Sequence, residues 1–123
     1  MEQNKRQTGD QYEWLAKTFL EEKGLVFLVK NFRCRYGEID LIMRDGEYLV
    51  FIEVKYRENG IRGDALSAVG IRKQKIISQV ADFYLKTYTW NQDVPCRFDV
   101  VGFDGDQISW VQNAFEYHGG RRF

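Results

Sequence analysis

Two stretches with apolar residues on both faces constrain this chain more than any other feature of its sequence. In Gly37 to Arg44, Ile39, Leu41 and Met43 alternate with Glu38, Asp40, Ile42 and Arg44. In Tyr48 to Tyr56, Tyr48, Val50, Ile52, Val54 and Tyr56 alternate with Leu49, Phe51, Glu53 and Lys55. Strands that are apolar on both sides must be covered on both sides. Asp45-Gly46 between them is a hairpin signal. The two segments therefore predict the centre of a sheet with a layer packed on each face.

The rest of the chain supplies those layers. Thr8-Gly9-Asp10-Gln11 has capping-box spacing, with Thr8 as N-cap. Tyr12, Leu15, Ala16, Phe19 and Leu20 follow helical spacing, and Gly24 ends the run. Leu25 to Val29 reads as a strand continuing towards Arg35. Arg57 to Asp64, with two glycines and four charges, reads as a mobile loop. A second helix runs from Ile71 to Tyr88, with Ile76, Ile77, Val80, Ala81, Tyr84 and Tyr88 on one stripe. Asn91 to Pro95 connects it to a last strand pair, Arg97 to Phe103 and Gln107 to Val111, around an Asp104-Gly105-Asp106 turn. The order α-β-β-β-α-β-β predicts an α/β or α+β domain, a central mixed sheet flanked by helices.

Composition sets the outer limits. With 123 residues, 44% of them hydrophobic and 15% aromatic, the chain has the apolar surface for one domain over residues 1–123 and is not disordered throughout. Residues 1–7 and 119–123 are expected to be flexible ends. The longest apolar run, Leu25 to Val29, is far short of a membrane span, and Met1 to Tyr12 is too polar for a secretory signal. Cys34 and Cys96 cannot build a disulfide framework, and no Cys or His has zinc-ligand spacing. These features together read as a cytoplasmic protein with no membrane partner. Lys plus Arg equals Asp plus Glu at 18 each, so no whole-chain basic footprint exists. Between Glu53 and Lys75, however, six basic residues (Lys55, Arg57, Arg62, Arg72, Lys73, Lys75) face three acidic ones. They form either a local patch or an ordinary solvated surface.

The central hairpin also breaks its own pattern, because Glu38, Asp40, Glu53 and Lys55 interrupt an apolar face at the end away from the turn. Buried charges are costly unless paired or bound to metal. A two-residue Asp45-Gly46 loop pairs Arg44 with Glu47, Ile42 with Leu49, Asp40 with Phe51 and Glu38 with Glu53. Asp40 and Glu53 then become diagonal neighbours, roughly 7 Å apart at Cβ. Three carboxylates so close repel one another, and a divalent cation neutralises them most simply. Oxygen-only ligands favour Mg²⁺ or Mn²⁺ over zinc. The structural alternative is a salt-bridge cluster among Glu38, Glu53, Lys55 and Arg57. Glu13, at the edge of the first helix's inward stripe, either reaches the sheet edge or complements the helix dipole. Lys73 stands in the same relation to the second helix, and the alternative for it is a snorkelling surface lysine.

Gly37-Glu38-Ile39-Asp40-Leu41-Ile42 followed by Phe51-Ile52-Glu53-Val54-Lys55 resembles the PD-(D/E)XK nuclease superfamily. More narrowly, the chain resembles the YraN family of bacterial proteins, which is related to archaeal Holliday junction resolvases. The resemblance extends to Gly9, Glu13 and Ala16, to Asn31 and Arg33, to Lys73, to Arg97-Phe98-Asp99-Val100-Val101 and to Asn113-Ala114-Phe115. Glu38-Ile39 stands where a proline often precedes the first aspartate of the superfamily motif. The resemblance implies a restriction-endonuclease-like core with Mg²⁺ or Mn²⁺ held by Asp40, Glu53 and the Val54 carbonyl, and Glu13 completing the metal site. It gives Lys55 the task of orienting the attacking water and Lys73 a contact to the scissile phosphate. It implies a DNA substrate, branched or structured forms included, and a homodimer. Asp99 is expected to pair with an arginine or cap a neighbouring strand.

Three functions are compatible with these features. The first is a Mg²⁺-dependent endonuclease using Glu13, Asp40, Glu53 and Lys55. The second is a non-catalytic module that holds nucleic acid or a repair partner through Arg57, Arg62, Arg72, Lys73 and Lys75. The third is a protein-interaction domain using Trp90 or Trp110.

Overall fold

The structure is a computed structural model that describes residues 5–57, 69–89 and 93–118. Arg62, nearly all of the Arg57 to Asp64 loop, Trp90, residues 1–4 and the segment 119–123 lie outside them. Its elements are α1 (Lys5–Glu22), β1 (Val26–Cys34), β2 (Gly37–Asp45), β3 (Tyr48–Arg57), α2 (Ile71–Tyr88), β4 (Cys96–Asp104) and β5 (Gln107–Phe115). The strands form one mixed sheet in sequence order, antiparallel except for the parallel β3–β4 pair that α2 connects. This is the α+β order expected from the pattern.

One helix covers each face. On one side Phe32, Ile39, Ile42, Leu49, Phe51 and Phe98 pack against Ile77, Val80, Ala81, Tyr84 and Leu85 of α2. On the other, Leu41, Met43, Val50, Ile52, Val54, Val101 and Phe103 pack with Ala16 and Leu20 of α1. The two-sided apolar strands are central because only there do both faces leave water. No helix among the described residues is long and apolar enough to cross a membrane.

Two expectations need correction. The first helix begins by Lys5, so Thr8 and Gly9 lie inside it and residues 5–7 are helical. Arg6 and Gln7 are good helix formers, and nothing upstream of Thr8 forces a stop. At the other end the chain leaves the helix as expected, with Gly24 at φ 99° and the Leu25 N–H returning to the Leu20 carbonyl at 3.1 Å. The second correction is the hairpin register. Asp45 pairs with Tyr48, Arg44 with Leu49, Ile42 with Phe51 and Leu41 with Ile52. The two-residue loop is therefore Gly46-Glu47, with Gly46 at φ 60° in the first loop position, where a II′ turn places glycine. Each β2 residue meets a partner two positions further along β3 than a loop at Asp45-Gly46 gives. An even shift by itself turns no residue to the other face, but the alternation expected of β2 breaks at its start, where Ile39 packs with Ile42 in the α2 layer while Leu41 and Met43 pack in the α1 layer.

Candidate functional site

The β2–β3 ladder stops at Leu41 and Ile52, although both strands continue. Beyond that rung β2 stays with β1, and β3 stays with β4 through Arg57. A fork opens between them, and the next residue on each side is a carboxylate, Asp40 and Glu53. The corrected register makes them opposite rather than diagonal. An Asp40 Oδ2 atom crosses the fork to accept the Val54 N–H at 2.8 Å, and the Asp40 and Glu53 side chains hydrogen-bond to each other. In a strand the N–H and C=O of one residue point the same way. The Val54 carbonyl thus opens on the same gap.

Each helix contributes to the fork from its own side. Glu53 shares the face of Phe51, the α2 side, and its Oε2 lies 3.4 Å from Lys73 Nζ and 3.8 Å from Lys55 Nζ. Glu13 reaches Asp40 from α1, and Lys30 Nζ lies 3.9 Å from Glu13 Oε1. That oxygen is buried and accepts no hydrogen bond. Around it is a recess of about 240 Å³ lined by Gly9, Asp10, Glu13, Lys30, Asn31, Arg33 and Glu38. A larger cavity of about 480 Å³, whose lining includes Phe51, Leu85, Phe98 and Phe115, shares no residue with these carboxylates.

Burial controls the electrostatics. Desolvation first, and the negative charge of Asp40 second, push Glu53 up to about 7, while Lys73 and Lys55 pull in the other direction. Asp40 is pushed up to about 6 by burial, opposed by the Val54 N–H and reinforced by the charges of Glu13 and Glu38. Glu13 is raised as well, by burial, with Lys30 offsetting part of it. Three carboxyls that resist ionisation in one place form a local deficit of positive charge.

Other residues fall into place around this group. Glu38 pairs with Arg33 at 3.0 Å, and the Arg57 guanidinium donates to the Tyr56 carbonyl, so the alternative four-residue salt-bridge cluster does not form as a unit. Arg72, Lys73 and Lys75 are exposed near the start of α2, whose first turn has no acidic residue and no side-chain cap. Asp99 is buried, accepts from Arg97, Trp110 and the Asn113 N–H, and takes no part in the fork. Spacing alone places neither Lys30 nor Asn31 near the site. An asparagine within a strand-forming run is a signal for a left-handed position, and Asn31 has φ 58°.

Apart from the lysine ammonium groups, which cannot bind a cation, the polar side-chain atoms of the fork are carboxylate oxygens, the donor type that suits a hard divalent ion. Among the described residues no three His, Cys, Asp or Glu side chains close a metal cage by themselves. Asp40, Glu53 and the Val54 carbonyl are the groups that could act as donors to such an ion, with water for the remainder. The orphaned Glu13 Oε1 is positioned to receive one of those waters.

Comparison with known proteins follows the same stretch of chain. A family model described as an uncharacterised protein family, UPF0102, matches residues 12–103. A UPF0102 protein of Aeromonas hydrophila is 48% identical over 108 residues, 87% of this chain and 83% of the relative. The UPF0102 proteins YraN of Escherichia coli O1:K1 and of Salmonella arizonae are each 46% identical over 114 residues, 92% of this chain and 87% of theirs.

Proposed function

Since the chain belongs to the uncharacterised protein family UPF0102, whose relatives' names state no reaction, we propose from the site itself a divalent-cation-dependent hydrolase of nucleic-acid phosphodiester bonds, acting on DNA. One observation carries this reading. Two opposed carboxyls, one only 6% exposed, share a hydrogen bond across an open strand fork and are held towards neutrality by burial, with two lysines on one of them.

Asp40, Glu53 and the Val54 carbonyl would hold Mg²⁺ or Mn²⁺, and Glu13 would orient a water beside it. When bound, such an ion lowers the pKa of its water and neutralises charge on the phosphodiester. Lys55, 3.8 Å from Glu53, supplies fixed positive charge next to the place where the attacking oxygen would stand. Lys73 sits at the uncapped start of α2, where backbone N–H groups also favour a phosphate. Arg57 on β3 and Arg72 and Lys75 on α2, the elements that carry Glu53 and Lys73, are exposed and would hold the flanking backbone, which carries no sequence information.

Purified protein incubated with Mg²⁺ or Mn²⁺ and duplex, single-stranded, flap and four-way DNA tests the proposal. Metal-dependent cleavage that disappears in Asp40→Ala is expected. No cleavage of any substrate, or an Asp40→Ala variant equal to wild type, overturns it. Salt-sensitive binding that survives both metal removal and Glu53→Ala would instead mark the exposed basic residues as a non-catalytic nucleic-acid surface.

Lys73 makes a separate prediction. Its ammonium occupies one Glu53 oxygen that a cation would also use. Lys73→Met should therefore bind Mn²⁺ about two- to fivefold more tightly, the equivalent of an exposed ion pair worth up to about 1 kcal/mol, while cleaving more slowly. Calorimetric titration reads the first effect, and weaker Mn²⁺ binding would rule out the competition.

A further inference from the structure

We infer that Asn31 is a positioning residue whose left-handed backbone turns the Asp40 carboxylate into the fork. Asn31 has φ 58° in the middle of β1, and asparagine visits that region at less cost than residues with bulkier side chains. The ladder pairs on either side of it are Lys30 with Leu41 and Phe32 with Ile39, so Asn31 and Asp40 share one rung. At that rung both strands lose their alternation. Val29 and Phe32, three residues apart, pack in the α2 layer, and so do Ile39 and Ile42. Leu41 and Met43 pack in the α1 layer. Regular pleating would commit position 40 to one layer or the other. The broken rung commits it to neither, and the Asp40 carboxylate bridges to the Val54 N–H instead.

The Asn31 side chain ties the same rung to α1, donating to Asp10 at 3.4 Å and hydrogen-bonding with Glu13. Asn31 is thus joined to two of the three fork carboxylates, to Asp40 through its backbone geometry and to Glu13 through its amide. The functional consequence rests on the proposed metal site, whereas the geometry does not.

Amide hydrogen exchange of Val54 in the metal-free protein reports the Asp40 bond directly, with Asp40→Ala as the reference for its loss. Asn31→Gly keeps the left-handed backbone and should retain wild-type Val54 protection. Asn31→Val disfavours that backbone and should exchange at least about tenfold faster at Val54, approaching the Asp40→Ala rate, while Val50 and Val101 stay protected. If the valine variant does not fold, Asn31→Ala, without the β-branch, makes the same comparison. Unchanged Val54 protection in the valine or alanine variant overturns the inference. So does a glycine variant that loses as much as they do, because the amide rather than the backbone would then be responsible. Mn²⁺ titration of the same variants should show retained affinity with glycine and reduced affinity with valine. Absence of Mn²⁺ binding in wild type would defeat the metal reading, yet Val54 exchange would still decide the role of Asn31.

Discussion

Replacing Asp40 by asparagine is expected to make the metal-free protein more stable at pH 8 and to abolish cation-dependent cleavage. The sign follows from the carboxyl pair. Burial raises Asp40 to about 6 and Glu53 to about 7, above their ordinary values, so between pH 5 and 8 the folded chain binds more protons than the unfolded one. Stability then falls as pH rises through this window, because ionising either group costs more in the fold than in water. For two coupled groups the loss is on the order of 3 kcal/mol between pH 5 and 8. The substituted side chain would keep a carbonyl for the Val54 N–H and offer an amide to Glu53, whose lysine partners remain. Urea unfolding should show the Asp40→Asn variant about 2 kcal/mol more stable than wild type at pH 8 and the pH dependence flattened. Mg²⁺ at saturating concentration should restore stability to wild type at pH 8 and leave the variant unmoved. A variant less stable than wild type at pH 8, or a wild type indifferent to both pH and Mg²⁺, would contradict this account of the fork. A substitution that stabilises the fold while removing its chemistry marks a group retained at the expense of stability.

Most of the architecture is legible in the chain because the strongest patterns are also the most buried. The Ile71–Tyr88 helix has the expected limits, and all five strands stand where alternation or apolar runs place them. Residues that break a pattern are legible as exceptions but not as geometry. Asp40 and Glu53 stand out because carboxylates do not belong on such strands, and their meeting survives a misplaced turn because the shift is even. The fork itself leaves no mark, since a ladder ends where side chains and backbone compete for the same N–H, and sequence alternation continues past that rung. Asn31 belongs to the family resemblance, and an asparagine in a strand-forming run signals a left-handed position without saying what that position does, because a single positive φ has no periodicity. The start of α1 escapes the sequence for the opposite reason: capping-box spacing at Thr8 permits a helix start and does not require one.

Asp99→Asn is expected to cost about 3–5 kcal/mol, the range for breaking one side of a buried charge pair. Asp99 is fully buried, and its two oxygens accept four contacts: Arg97 Nε at 3.1 and 3.2 Å, Trp110 Nε1 at 2.9 Å and the Asn113 N–H at 2.9 Å. It lies at the register shift between Phe98 and Val100, where the β4–β5 ladder is irregular and Asn113, at φ 53°, turns its N–H away from the regular pairing. The carboxylate takes the place of the missing backbone acceptor. An asparagine has one acceptor oxygen, so its amide must face either the indole or the Asn113 N–H, donor against donor, and Arg97 loses its buried carboxylate partner and keeps Asp45, at 2.8 Å, as its counter-charge. The urea midpoint should fall with an unchanged slope, since the native surface is the same and only its stability differs. Combining Asp99→Asn with Arg97→Leu should cost clearly less than the two singles added together, because the second substitution removes the charge that the first strands. Cleavage measured well below the lowered melting temperature should be close to wild type, because the bonds of Asp99 run to β4 and β5 and those of Asp40 and Glu53 to the fork. A loss under about 1 kcal/mol in Asp99→Asn would be no more than an ordinary hydrogen bond, and would mean that the bulge is held by packing around Phe98 and Phe115 rather than by charge.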